Sequence, residues 1–477
     1  MYWTGMSSTT LVVDTTLFLV AVVVVRKLYS RRLNNSLGLP YPPGPTPSIV
    51  PFVGNIYDMP IKEEWFKFTE WGKQYGPLVM LEVMGQKMCI INTIRAATDL
   101  LDARSAIYSD RPQMRMVREL MGWEFNVGFQ SYGAKYKKSR KLFHHGFNPR
   151  ASDAYQPIQT AAFGYQTVKN DEFVRIAEEA QLAMVSAARP GAYLVDFIPF
   201  LKYIPEWFPG AHFQRVAREG RDLAEDLQNK PYAWARKQFD EGKAKPSFFR
   251  SIMEAKGLCS DDPVEEEQLI KKASALMYAT GADTILASVL NFFLGMLHAP
   301  DVQKKAQEEL SRVVGNDRLP TFADRASLPY IECIVKETLR WEQVTPLGVP
   351  HRLMKDDSHD ESMYPDPMTF RPERFMDASA AKDEGPCDPN TIAFGWGRRI
   401  CPGRFLAENS LWLHVATTLA CFNISPIIGS DGRPVIPPRD YTSGLASRPK
   451  PFSCHVLPRN LGVVELIRDS VASVESQ

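Results

Sequence analysis

Apolar and polar positions along most of the chain alternate at helical spacing. Between Asp301 and Val314, apolar or small residues recur at Val302, Ala306, Leu310, Val313 and Val314, which predicts a helix stopped at Gly315. Glu265 to Leu297 carries the same signal over a far longer run, as one or two helices halted by Pro300. Tyr330 to Trp341 predicts another, with Pro329 near its first turn. Strand-like runs at Leu78–Val83 and Met88–Ile91 flank Gly85 and predict a small hairpin. There is no internal repeat, and no Pro/Gly/Ser-rich linker divides residues 50 to 460. The pattern reads as mainly α with a small β sheet, in one large domain over residues 51–477.

The first segment reads differently. Leu11 to Val25 holds twelve apolar residues in fifteen, no Lys or Arg precedes the run, and Arg26, Lys27, Arg31 and Arg32 lie just after it. These flanks fit an N-terminal membrane anchor with its basic flank over residues 1–27, not a cleaved signal peptide, and they place the rest of the chain in the cytosol. Pro40-Tyr41-Pro42-Pro43-Gly44-Pro45 cannot continue a helix, so residues 28–50 read as a Pro-rich hinge.

Composition narrows the function classes. Of 477 residues, 44% are hydrophobic and 23% charged, and 56 basic against 55 acidic residues leave +1, so charge gives no argument for a nucleic-acid partner. Seven cysteines without tight spacing speak against a disulfide framework and for a reducing compartment. Cys89, Cys333, Cys421 and Cys454 read as buried apolar residues.

Candidate chemistry lies near the C-terminus, in Phe394-Gly395-Trp396-Gly397-Arg398-Arg399-Ile400-Cys401-Pro402-Gly403. The spacing Phe-x-x-Gly-x-Arg-x-Cys-x-Gly makes physical sense if Cys401 ligates iron as a thiolate, which pushes electron density into the metal. Gly397 and Gly403 permit sharp turns and close approach to a flat cofactor. Pro402 suits the first turn of a helix over Arg404–Ala416, whose N-terminal amides favour negative sulfur. Arg399 can pair with a propionate, and Phe394 can cover the sulfur side of the ring. A dinucleotide-binding turn does not fit, because Ile400 stands where its third glycine belongs.

This segment resembles the haem-binding loop of the cytochrome P-450 monooxygenases, and further motifs agree. Glu337-Thr338-Leu339-Arg340 matches the family's Glu-x-x-Arg, and residues three apart share a helix face, where carboxylate and guanidinium can pair. Pro372-Glu373-Arg374-Phe375 resembles its partner segment, which implies a structural triad of Glu337, Arg340 and Arg374 bracing the cysteine loop. Thr280-Gly281-Ala282-Asp283-Thr284 is similar to the oxygen-activation motif, which implies that Asp283 and Thr284 relay protons; the bland alternative is a polar pair on a solvent-facing turn. Tyr136 and Arg140 look like the family's Trp-x-x-x-Arg, and His351 aligns with a propionate contact. The resemblance implies haem b with Cys401 as axial ligand, electrons from NADPH through a cytochrome P-450 reductase, an apolar small-molecule substrate, and the endoplasmic reticulum membrane. Lys137, Lys138 and Lys141 around Arg140 read either as a docking patch for an acidic reductase or as a solvated helix face. Pro205–Gly210 and Pro346–Arg352 are similar to fungal secondary-metabolism members akin to O-methylsterigmatocystin oxidoreductase.

Two family segments are expected to be missing. Tyr155-Gln156-Pro157 leads almost at once to Gly164-Tyr165, short by roughly 25 residues, about two helices. Ser358-His359-Asp360 passes straight to Tyr364-Pro365, short by roughly 20, about one strand pair. The sequence is open to three readings: a monooxygenase; a haem-thiolate isomerase or peroxide user that needs no reductase; or a non-functional product of a transcript lacking internal segments.

Overall fold

A computed structural model describes residues 40–48, 50, 53–147, 158–168, 170–189, 191–255, 257–355, 370–376 and 388–475. The expected anchor and the two junctions around 155 and 360 lie outside the described residues. The described chain up to Leu100, with residues from Leu353, packs as one compact unit, and Leu101–Arg352 with the residues from Phe370 onward as another.

In the first unit, α1 (Glu64–Tyr75) precedes an antiparallel hairpin of β1 (Leu78–Val83) and β2 (Gln86–Ile91). Met84 and Gly85 turn it at φ 49° and 76°, the left-handed pair that matches the twist of the two strands. The expected hairpin is therefore present, with the second strand starting two residues early. Alternate residues Val79, Leu81 and Val83 are buried, as a half-covered strand requires.

The second unit is helical. Its main elements are α2 (Ala134–Gly146), α3 (Glu172–Ala187), α4 (His212–Asp240), α5 (Pro263–His298), α6 (Pro300–Val313), α7 (Pro329–Trp341) and α8 (Arg404–Cys421). A three-stranded antiparallel sheet in the order β4 (Pro434–Val435), β3 (Phe422–Ile428), β5 (Cys454–Pro458) comes next, then α9 (Leu461–Glu475).

The long apolar run is one helix, not two. Asp262 caps it by accepting the Val264 N–H at 3.0 Å, Pro263 opens it, Glu265 and Glu266 occupy the positive end and His298 the negative end. At 36 residues α5 is the one helix among those described that is long and apolar enough to cross a membrane. Half of its apolar window is buried in protein, so it serves as the axis of the fold. One core gathers α2, α3, α4 and the first half of α5; a second gathers the rest of α5 with α6, α7 and α8. Gly295 lets Phe370 lie flat on α5, since a Cβ there would sit 2.8 Å from the ring. The helix predicted at Asp301–Val314 forms, and Gly315 leaves it at φ 80°.

Candidate active site

The cysteine loop joins a short helix, Asn390–Ala393, to α8. Gly395 and Gly397 turn it at φ 73° and 55°, and the Cys401 N–H closes it on the Phe394 carbonyl at 2.8 Å. Gly397 admits no other residue: a Cβ would meet the Leu101 carbonyl oxygen at 2.4 Å and the Ser105 Cβ at 2.7 Å. A Cβ on Gly403 would lie an ordinary 4.0 Å from the Cys401 sulfur. Gly403 caps α8, so the helix begins at Arg404, and Pro402 stands before the cap and outside the first turn. The helix also runs five residues past Ala416, because Leu419 and Cys421 continue its buried stripe.

Cys401 keeps some accessible surface although protein surrounds it. Burial pushes its thiol pKa up, against the Gly403 N–H and the charges of Arg140 and Arg404. Thiolate rather than thiol binds metal, so a metal at this sulfur would supply the pull that burial opposes. No cluster of three His, Cys, Asp or Glu side chains suits a metal among the described residues. A one-sulfur site needs a cofactor that brings the other ligands with it.

The surroundings say what charge that cofactor carries. Arg399 is buried and donates through Nε to the Ser109 carbonyl at 2.6 Å and through Nη2 to that of Gln130 at 2.8 Å, its guanidinium 3.8 Å from the Tyr136 ring centre. Arg111 is also buried and donates through Nη1 to the Val349 and Pro350 carbonyls, while its Nε has no partner. Burial, then the positive charge of Arg399, pulls the Arg111 pKa down to about 9. His351, with Nδ1 2.6 Å from the Tyr108 carbonyl oxygen, is driven down to about 3 by burial and then by Arg111 and Arg399. Burial likewise lowers Arg140. The nearby carboxylate, Asp110, is engaged by Arg352 at 2.9 Å. Two buried guanidiniums side by side, one with an Nε–H that no protein group takes up, suit a bound anion. The propionates of a haem fit it, as the Cys401 sulfur fits its iron.

Sequence spacing does not single out Arg111. Its Ser-Asp-Arg-Pro context carries no signal, and only the fold buries it beside Arg399. Tyr136 lies one helical turn before Arg140 on α2, but its hydroxyl donates to the Arg398 carbonyl at 2.6 Å and so supports the loop itself.

On α5, Thr280, Gly281, Ala282, Asp283 and Thr284 are half-buried in an unbroken helix. The Thr284 hydroxyl donates to the Thr280 carbonyl at 2.8 Å, as Thr280 does to Leu276 and Ser288 to Thr284. Asp283 accepts from Arg448 Nη1 at 3.1 Å. Burial pushes its carboxyl pKa up and Arg448 opposes this. Glu337, fully buried on α7, takes two bonds from Arg340 at 2.7 and 2.8 Å and the Arg371 N–H at 2.5 Å. That helix packs on the Pro372–Phe375 turn and on the short helix leading into the cysteine loop. The Arg374 side chain lies outside the described residues. Of the cysteines read as buried, Cys333 and Cys421 are, whereas Cys454 is half-buried and Cys89 exposed on a hairpin strand.

Comparison with known proteins agrees with this geometry. The cytochrome P450 family model matches residues 42–162, 158–358 and 357–456. Its two joints fall where the sequence is expected to be short. Cytochrome P450 monooxygenase 98 of Postia placenta is 36% identical over 483 aligned positions, covering 90% of this chain and 92% of that one. Cytochrome P450 monooxygenase claR of Ampulloclitocybe clavipes is 35% identical, over 95% of this chain and 91% of its own. Tryptamine 4-monooxygenase of Psilocybe cyanescens is 32% identical over 506 positions, 94% of this chain and 99% of that one. The last alignment is longer than the 477 residues of this chain, so it contains positions for which this chain has no residue. At such identity across nearly all of both partners, common descent is the conclusion: this protein is a member of the cytochrome P450 family, an oxygen-incorporating oxidoreductase.

Proposed function

We propose that the chain is a haem-thiolate monooxygenase of fungal secondary metabolism. It would be held at the endoplasmic reticulum by its N-terminal segment and take electrons from NADPH through a flavoprotein reductase. The observation that carries the reading is the pairing of one sulfur, set by a glycine turn, with the buried guanidiniums of Arg111 and Arg399 and the unpartnered Arg111 Nε–H. When bound, the haem supplies the iron chemistry by which dioxygen is reduced and split. Cys401 would hold the haem iron, with the Gly403 N–H, Arg140 and Arg404 favouring negative charge on its sulfur. Arg111, Arg140, Arg399 and His351 would hold the propionates, Phe394 and Gly403 would lie by the sulfur, and Glu337 and Arg340 would brace the loop, with Arg374 as the third member that the sequence motif implies.

Asp283 and Thr284 would hold and pass protons. The carboxyl titrates upward from its ordinary range by burial, which brings it nearer to working pH. The Thr284 hydroxyl must leave the Thr280 carbonyl to serve, at the cost of one helix back-bond. The substrate is a small, largely apolar molecule; a relative named for tryptamine supports the size class. The reductase docks on α2, where Lys137 and Lys141 add to Arg140 and Lys138 is tied to Glu265 at 2.7 Å.

The test compares electron sources. Membranes carrying the chain and a reductase should turn substrate over with NADPH, and Thr284→Ala should divert reducing equivalents to peroxide. Turnover with peroxide but never with NADPH and reductase would favour the isomerase or peroxygenase reading. Failure to retain haem at all would favour the reading as a non-functional product, which the two short junctions motivate.

A further inference from the structure

The carboxylate at the centre of α5 has a partner outside the helix, in the segment between β4 and β5. Arg448 is unusually well fixed for a loop residue. Its N–H donates to the Thr442 hydroxyl at 3.1 Å, and its carbonyl accepts the Thr442 N–H at 3.0 Å. Next to it the Ser447 N–H bonds to the Val344 carbonyl at 2.8 Å, and Lys450 bonds Asp440 through backbone and side chain, both at 2.8 Å. Tyr441 from the same loop donates to Asn291 of α5 at 3.1 Å, two turns beyond Asp283. The loop is thus clamped to the helix that it serves, and its arginine reaches back to Asp283 with the side chain still 31% exposed.

We infer that Arg448 is a positioning residue that keeps Asp283 ionised and aimed. Burial favours the neutral form of a carboxyl and a nearby cation the ionised form, and only the ionised form can accept a proton. Arg448 is the one charged group, among the described residues, whose field opposes burial at Asp283. Both partners keep part of their surface, 31% for Arg448 and 22% for Asp283, so the pair holds a proton acceptor at the border of the fold. This rests on the reading of Asp283 as part of the proton relay.

The experiment is infrared difference spectroscopy at neutral pH, each background measured with and without Asp283→Asn. In the native background the difference should show a carboxylate stretch. With Arg448→Gln it should show the carbonyl stretch of a neutral carboxyl, and Arg448→Lys should restore the carboxylate. Arg448→Met serves as a second neutral variant should the glutamine fail to fold. A carboxylate stretch that persists in the neutral variants would overturn the inference. Coupling of reducing equivalents to product is read separately on the haem-loaded enzyme. If Asp283→Asn leaves coupling intact while the bands move as expected, the relay reading fails and the control of charge by Arg448 stands. If the bands do not move but Asp283→Asn uncouples, the relay stands and the role of Arg448 falls.

Discussion

The Glu337–Arg340 pair makes an asymmetric prediction. Both oxygens of a carboxylate with no exposed surface receive Arg340, and one also receives the Arg371 N–H, whereas the Arg340 side chain keeps 19% of its surface exposed. Arg340→Ala strips two charged bonds from an anion that cannot reach water, a change that costs about 3–5 kcal/mol. Glu337→Ala leaves a guanidinium that can turn outward, so its cost is that of lost bonds to one carboxylate, about 1–3 kcal/mol. Against a typical total stability of about 5–15 kcal/mol, the first removes a large share and the second a tolerable one. Arg340→Lys should fall between them, since a point charge cannot reproduce the two-bond fork. Urea denaturation followed by circular dichroism and by haem release gives the order. Equal losses, or Glu337→Ala as the more damaging change, would refute the argument from exposure.

The geometry sets three further outcomes. Gly397→Ala should destabilise the cysteine loop and release haem, while Gly403→Ala should be mild, because only the first Cβ collides with the Leu101 carbonyl and Ser105; retention of the Soret band on heating distinguishes them. Arg111→Gln should stabilise the haem-free protein, by removing a buried cation, and weaken haem retention; loss of stability in both forms would contradict its assignment to the anion site. Asp196, which accepts the Met116 N–H at 2.9 Å, is raised to about 6 by burial. The folded state therefore binds its proton more tightly than the unfolded one, and its contribution is full below about pH 4 and lost as pH rises through about 6. The melting temperature of Asp196→Asn relative to the native protein should thus rise between these pH values, and a flat difference would refute the assignment.

Much of this site was legible in the sequence because it is local. Cys401, Gly397, Gly403 and Arg399 lie within seven residues, and Glu337 and Arg340 share one helical turn, so spacing alone brings them together. Arg111 and Arg448 were not legible. Each meets the site through contacts between distant segments, Arg111 through carbonyls at 349 and 350 and Arg448 through Asp283. Tyr136 shows a third case, where the position was legible but the use of its hydroxyl depended on which carbonyl the fold set opposite. The helix over Pro263–His298 was plain in its apolar run, but its burial on both halves comes only from the two cores that it joins.

The central claim is that Cys401 holds haem iron as a thiolate. The carbon monoxide difference spectrum of the reduced full-length protein in membranes tests it most directly. The account predicts a long-wavelength Soret band of the thiolate type, lost in Cys401→Ala. A band that survives that substitution would contradict the ligand assignment, and no haem in the unaltered chain would show that the two short junctions have cost the protein its cofactor.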